Sequence, residues 1–266
     1  MEVLQMNGLS RFCNISHFMT TRHGGVSTEN YASLNAGAYS GDLPERVQEN
    51  RRLLAEMMGF EVEKLFAPYQ VHEAEIRVLD QAFLSRNAEE QTDYLYGVDG
   101  VVTAEPEVCV AVATADCVPV LLYAPDKQVV AAVHAGWRGT VKGIVSQAVE
   151  VMVRHFGCDA SLLHSGIGPS IGPLAFEVGE EVVEAFAASG RWTPEEMTLL
   201  VRRHPQTGKA HIDLWKANAF LLSRSGVPAS SIEIAGICTY QNNSDFFSAR
   251  RLGVRSGRIL SGIFIR

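Results

Sequence analysis

The stretch from residue 108 to residue 157 constrains the fold most. Three apolar runs rich in valine follow one another closely: Val108 to Thr114, Val118 to Tyr123 and Val129 to His134. Pro125 and Asp126 separate the last two, which is turn chemistry and predicts a hairpin. Directly behind them Val141, Ile144, Val145, Ala148, Val149, Met152, Val153 and Phe156 recur at spacings of three and four, and Gly157 follows. That pattern gives a helix one apolar stripe and a glycine to end it. Apolar runs that alternate with amphipathic segments are the signature of a mixed α/β or α+β domain. The fold class is therefore α/β (α+β).

The rest of the chain repeats this alternation. Phe12 to Thr20 predicts a strand, with the turn-prone His23-Gly24-Gly25 after it. Pro44 to Phe60 predicts a helix with Val47, Leu53, Leu54, Met57 and Met58 as its stripe. Asp213 is placed to cap a helix that stops near Gly226. Ile232 to Cys238 and Ile259 to Ile265 predict late strands. No linker or repeat interrupts the 266 residues, so one domain over 1–266 is expected.

The net charge of −7 argues against a sequence-independent grip on nucleic acid or on an anionic membrane. Val108 to Ala124, the most apolar stretch, is broken by Thr114, Asp116 and Pro119 and cannot span a bilayer. The opening residues show no basic segment before an apolar core, so no signal peptide is expected. The five cysteines, at 13, 109, 117, 158 and 238, are odd in number and contain no C-x-x-C. They make neither a disulfide framework nor a ribbon-type zinc site, and a reduced, cytoplasmic location is expected.

Chemistry concentrates where strands end. If the runs at 118–123 and 129–134 pair as a hairpin, Cys117 begins one strand and His134 ends the other. A thiol and an imidazole then meet, as a Cys–His nucleophilic pair or as two ligands of one metal. His72, in Pro68-Tyr-Gln-Val-His72, would complete a Cys/His/His set with a position open to water. Gly136-Trp137-Arg138-Gly139-Thr140 precedes the strong helix, where backbone N–H groups and Arg138 could bind an anion. Arg22, in a glycine-rich loop followed by Asn35, is a second anion candidate. The loop Ile167 to Pro173 and the segment Cys238 to Arg251, with Phe246, Phe247, Arg250 and Arg251, are further candidates. A plain connection or a packed surface turn explains each of these equally simply.

Six motifs occur in one order: TTRHGGVS at 20–27, QVH at 70–72, TADC at 114–117, HAGWRG at 134–139, GPSIGP at 168–173 and FFSARR at 246–251. Together they resemble the laccase-domain family, also called multicopper polyphenol oxidoreductase, peptidoglycan editing factor or laccase-domain purine nucleoside phosphorylase. The resemblance implies a layered α/β/β/α domain of mixed β-sheets flanked by helices. It implies one Zn2+ held by His72, Cys117 and His134 with a water. The implied activity is phosphorolysis of purine nucleosides, with adenosine deamination as a second activity and a link to peptidoglycan precursor editing. Cys117, His134 and Asp116 are then the catalytic candidates. Arg22, Asn35, Arg138 and Arg250 are the candidates for nucleoside and phosphate. A monomer or homodimer acting on small molecules, without nucleic acid or membrane, is expected.

Three other readings compete. Copper oxidation of phenols is disfavoured, because a multicopper cluster needs His-x-His pairs and the eight histidines include none. A metal-free Cys–His hydrolase or deamidase would use Cys117 as nucleophile and His134 as base. A non-catalytic factor that binds cell-wall precursors would turn over no nucleoside.

Overall fold

The three apolar runs do form strands, but they do not lie in one sheet. A computed structural model describes residues 2–266. Cys109–Thr114 belongs to a five-stranded sheet, in the order Val3–Leu4, Ile15–Thr20, Ile259–Ile265, Cys109–Thr114, Leu65–Phe66. Val118–Ala124 and Val129–Ala135 are the centre of a six-stranded sheet. Its order is Ile232–Ile234, His164–Ile167, Val118–Ala124, Val129–Ala135, Gly100–Thr103, Ile76–Val78. Both large sheets are mixed, and a small antiparallel sheet joins Glu177–Val178, Ala210–Ile212 and Val201–Arg203. The chain crosses from the first large sheet to the second at Ala115-Asp116-Cys117.

The side chains explain why the runs are continuously apolar. Met19, Val110, Val112 and Ile263 of the first sheet pack against Leu121, Tyr123, Val130 and Ala132 of the second. The outer face of the first sheet packs Phe18, Ala111 and Phe264 around Leu54 of the helix Pro44–Met58. The outer face of the second carries Val120, Leu122, Ala131 and Val133 under Val145, Ala148, Val149 and Met152 of the helix Ile144–Phe156. Strands covered on both faces lose the alternation of half-buried strands. The layers run helix, sheet, sheet, helix, the α/β/β/α order that the resemblance implied.

Several boundaries differ from expectation, each for a local reason. The expected long helix is split at Gly143, whose φ is 76°. Val141 belongs to a separate short helix, Trp137–Lys142. Arg191 takes up that helix's free carbonyls, donating from Nε to Val141 O at 2.7 Å and from Nη2 to Lys142 O at 2.7 Å. The strand expected from Phe12 begins at Ile15, because residues 13–14 form a turn before it. The late strand shortens to Ile232–Ile234. Asp213 caps the helix Leu214–Arg224 as expected, accepting from Lys216 N at 3.0 Å. No helix among the described residues is long and apolar enough to cross a membrane.

Candidate metal centre and active-site cavity

The register of the central hairpin places the first two site residues. Pro119 lies opposite His134 and Val118 opposite Ala135. Cys117 is two residues from Pro119 and so lies on the same face as His134, diagonally rather than directly across. His72 arrives from the loop between Leu65–Phe66 and Ile76–Val78. The ligand atoms of His72, Cys117 and His134 lie within 4.8 Å of one another. His134 is buried, Cys117 half-buried and His72 exposed, so the cluster has a floor and an open side. It is the only group of this kind among the described residues.

Asp99 assembles the cluster. Its side chain is fully buried and Oδ1 accepts from His134 Nδ1 at 2.7 Å. The same carboxylate accepts from the backbone N–H groups of Val71, His72 and Glu73 at 3.2, 2.9 and 2.9 Å. One side chain thus orients the His134 ring and holds the loop that carries His72. His72 has a φ of 64°, a left-handed conformation that a non-glycine residue keeps only when its surroundings enforce it. Gln70 fastens the other side of the loop, donating to Ala113 O and accepting from Ala113 N, both at 2.8 Å.

The electrostatics follow from this packing. Burial alone would push the Asp99 carboxyl up, but the His134 imidazole and the backbone N–H groups hold it below its usual range. Burial would push the Cys117 thiol up as well; His134 and His72 outweigh it and bring it down to about 6. Burial would lower His134, but Cys117 and Asp99 raise it to about 9. Each partner pushes the other towards its charged form, and a metal ion would bind the pair with release of a proton.

The donor set suits a metal. With Nδ1 tied to Asp99, His134 turns Nε2 towards Cys117, the carboxylate–histidine arrangement common at metal centres. A Cβ at Gly136 would stand 3.2 Å from Cys117 Sγ, 3.2 Å from His72 Cδ2 and 3.7 Å from His134 Cε1. Only glycine leaves the space between the three donors free. Two nitrogens and one sulfur with an open side match catalytic zinc better than a closed structural site.

The cluster opens into a cavity of about 290 Å³ whose wall includes Tyr39, Tyr69, Arg51 and Arg258. A second cavity of about 300 Å³ shares His72 and Cys117 and is lined by Trp137, Ile171, Phe176 and Leu214. The donors therefore stand between a polar, aromatic chamber and an apolar one. Tyr69 stacks on Tyr96 and meets Tyr39 edge-on, both at 4.7 Å between ring centroids.

Of the other expected site residues, Asp116 and Arg250 line the apolar cavity, and Arg22, Asn35 and Arg138 line neither. Both oxygens of Asp116 are engaged, by Thr239 Oγ1 and by the backbone N–H of Arg250, each at 2.7 Å. Arg250 lines the apolar cavity and donates from Nη1 to Glu177 O. Arg22 lines neither cavity. It donates to the carbonyls of Ala32 and Asn243 and lies over the Phe247 ring. Arg138 is exposed over the Trp137 ring, also outside both walls. Asn35 is fully buried and braces the loop beside the cavity through Ser40, Asp42, Gly37 and Arg258. The close approach at Gly25 is to Ser33 and Leu34 of the chain itself. The GPSIGP loop is stitched to residues 237–239 by the hydrogen bonds of Ser170 and Thr239.

Sequence reasoning missed Asp99, Arg51 and Arg258. Asp99 carried a weak signal, an acidic residue inside an apolar stretch before Gly100. Arg51 carried none, since it sits in a charged helix between Glu49 and Arg52.

With this geometry in place, the comparisons with known proteins agree on one family. Residues 16–266 match the multi-copper polyphenol oxidoreductase laccase family, to which the chain belongs. A purine nucleoside phosphorylase of Bacteroides thetaiotaomicron is 48% identical over 264 residues, covering 99% of this chain and 96% of the relative. Adenosine deaminase RL5, from an unknown prokaryotic organism, is 41% identical and covers 94% of each chain. The crystal structure of YlmD from Geobacillus stearothermophilus superposes with a TM-score of 0.88 at 36% identity, over 96% of this chain and 93% of that one.

Proposed function

We propose that this protein is a zinc-dependent purine nucleoside phosphorylase with adenosine deamination as a second activity. The observation that carries the reading is the His72, Cys117 and His134 cluster, open to a cavity walled by tyrosines and arginines. The names of two relatives, a purine nucleoside phosphorylase and an adenosine deaminase, supply the two activities. His72, Cys117 and His134 would hold the ion, and zinc held there would supply Lewis-acid polarisation. Copper oxidation is disfavoured because the described residues offer a single three-donor cluster and no His-x-His.

The chain's own residues do the rest. Asp99 fixes the His134 tautomer and the His72 loop, so the donors are set before substrate arrives. Tyr39 and Tyr69 offer faces on which a purine can stack. Asp116, with both oxygens engaged, is a positioning residue that fastens the Arg250 segment beside Cys117.

A product assay tests the reading. Protein incubated with adenosine should release adenine only when phosphate is present, and inosine with or without it. Release of neither base nor inosine overturns the proposal.

The proximity of Cys117 and His134 also fits a metal-free nucleophilic pair. Alkylation separates the two readings. Cys117 in the metal-bound protein should resist iodoacetamide until a chelator is added, whereas a free catalytic thiolate reacts at once.

A further inference from the structure

We propose that Arg51 and Arg258 form an anion subsite in the polar cavity, and that it binds the inorganic phosphate of the reaction. The inference rests on the phosphorolysis reading and assigns its second substrate. The cavity wall contains these two arginines and no aspartate or glutamate. Among the described residues neither guanidinium is in an ion pair. In a chain of net charge −7 this is a local positive patch beside the metal donors.

The two side chains divide the work. Arg51 reaches in from the helix Pro44–Met58 and donates only Nε to a protein group, Ala36 O at 2.9 Å. Its Nη1 and Nη2 have no hydrogen-bond partner among the described residues, and that fork matches two oxygens of a phosphate. Arg258 is fixed by its own chain, donating to the carbonyls of Ser256, Gly257 and Val254 at 2.7, 3.0 and 2.9 Å. It supplies a rigid positive wall. Burial lowers both guanidiniums from their usual range, a cost that a bound anion would offset. Thr114, in the same wall, has a buried hydroxyl without a hydrogen-bond partner. Arg22 and Arg138 lie outside this cavity wall, Arg22 donating to two carbonyls and Arg138 exposed over the Trp137 ring.

The step this subsite serves balances without a further reactant. An oxygen of hydrogen phosphate forms the bond to the ribose anomeric carbon as the bond from that carbon to the purine nitrogen breaks. The bonding pair leaves with the base, and the phosphate proton ends on the base nitrogen.

The test uses the whole protein with inorganic phosphate. Phosphorus NMR titration measures binding directly, and initial rates give KM for phosphate and for adenosine separately. Arg51→Gln should weaken phosphate binding and raise its KM by about tenfold or more, with a much smaller change in KM for adenosine. Arg51→Lys keeps the charge, preserves folding and should fall between, because the fork is lost. Arg154→Gln, at an exposed ion pair, should match wild type. Phosphate binding lost in Arg51→Gln supports the subsite even if no base is released, an outcome that would count against phosphorolysis alone. Phosphate-dependent base release with an unchanged phosphate KM in both Arg51 variants overturns the subsite and leaves phosphorolysis standing.

Discussion

His17 and His134 are both 2% exposed, and their surroundings drive them in opposite directions. His17 lies on the strand Ile15–Thr20, where its Nε2 accepts the Met6 N–H at 2.7 Å. Burial dominates there and pulls it down to about 4, against a raising influence from Glu233. His134 suffers the same burial, but Cys117 and Asp99 reverse it and lift the ring to about 9. Burial decides the state of a histidine only where no neighbour outweighs it. At His17 none does, and the ring stays a neutral acceptor that belongs to the structure. At His134 a carboxylate on one nitrogen and a thiol near the other make the ring a cation, or a metal ligand once the proton leaves.

Removing the partner that distinguishes the two histidines should have the largest effect. Asp99→Ala would strand three backbone N–H groups and the His134 ring in a buried place. It should cost about 3–5 kcal/mol of stability, read by urea denaturation. The milder Asp99→Asn should weaken metal binding by about 10–100-fold in chelator competition. Unchanged metal affinity would remove Asp99 from its proposed role.

His17 makes the opposite case testable by pH. Its folded value lies below the ordinary 6.5, so the unfolded chain binds the proton first. The stability it contributes is complete above about pH 6.5 and is lost as pH falls towards 4, about 3 kcal/mol in all. His17→Gln should flatten the stability profile across that window. An identical slope in wild type and variant would show that His17 does not titrate there.

The smallest change proposed is one methyl group. Gly136→Ala places a carbon 3.2 Å from Cys117 Sγ and His72 Cδ2. Metal affinity should drop by about tenfold while the fold persists, measured by chelator competition alongside the melting temperature. His17, which is not among the groups the added methyl would meet, should keep its pH response.

Much of this contrast was legible before the fold was known, and the reasons are specific. Cys117, His134 and His72 stand at ends of apolar segments, and strand pairing brings strand ends together. The alternation of apolar runs with amphipathic segments made the mixed α/β class legible, whereas the α/β/β/α layering came from the family resemblance. Asp99 was not, because what it does depends on loop 71–73 arriving from elsewhere in the chain. Arg51 was hidden by helix periodicity: among charged neighbours it reads as a solvated face, and only the packing of helix Pro44–Met58 beside the cavity turns it inward. Arg22 and Arg138 show the converse. Their glycine-rich surroundings suggested an anion, whereas carbonyls and an aromatic ring engage them.

By itself the sequence determined most strands, the main helices and the meeting of Cys117 with His134, because hydrophobic period and turn chemistry act over a few residues; His72 joined them through the ordered motifs of the family. Only the tertiary structure decided which sheet each strand joined, which carboxylate oriented His134 and which arginines faced the cavity. Those outcomes depend on contacts between segments far apart in the chain, which no local pattern encodes.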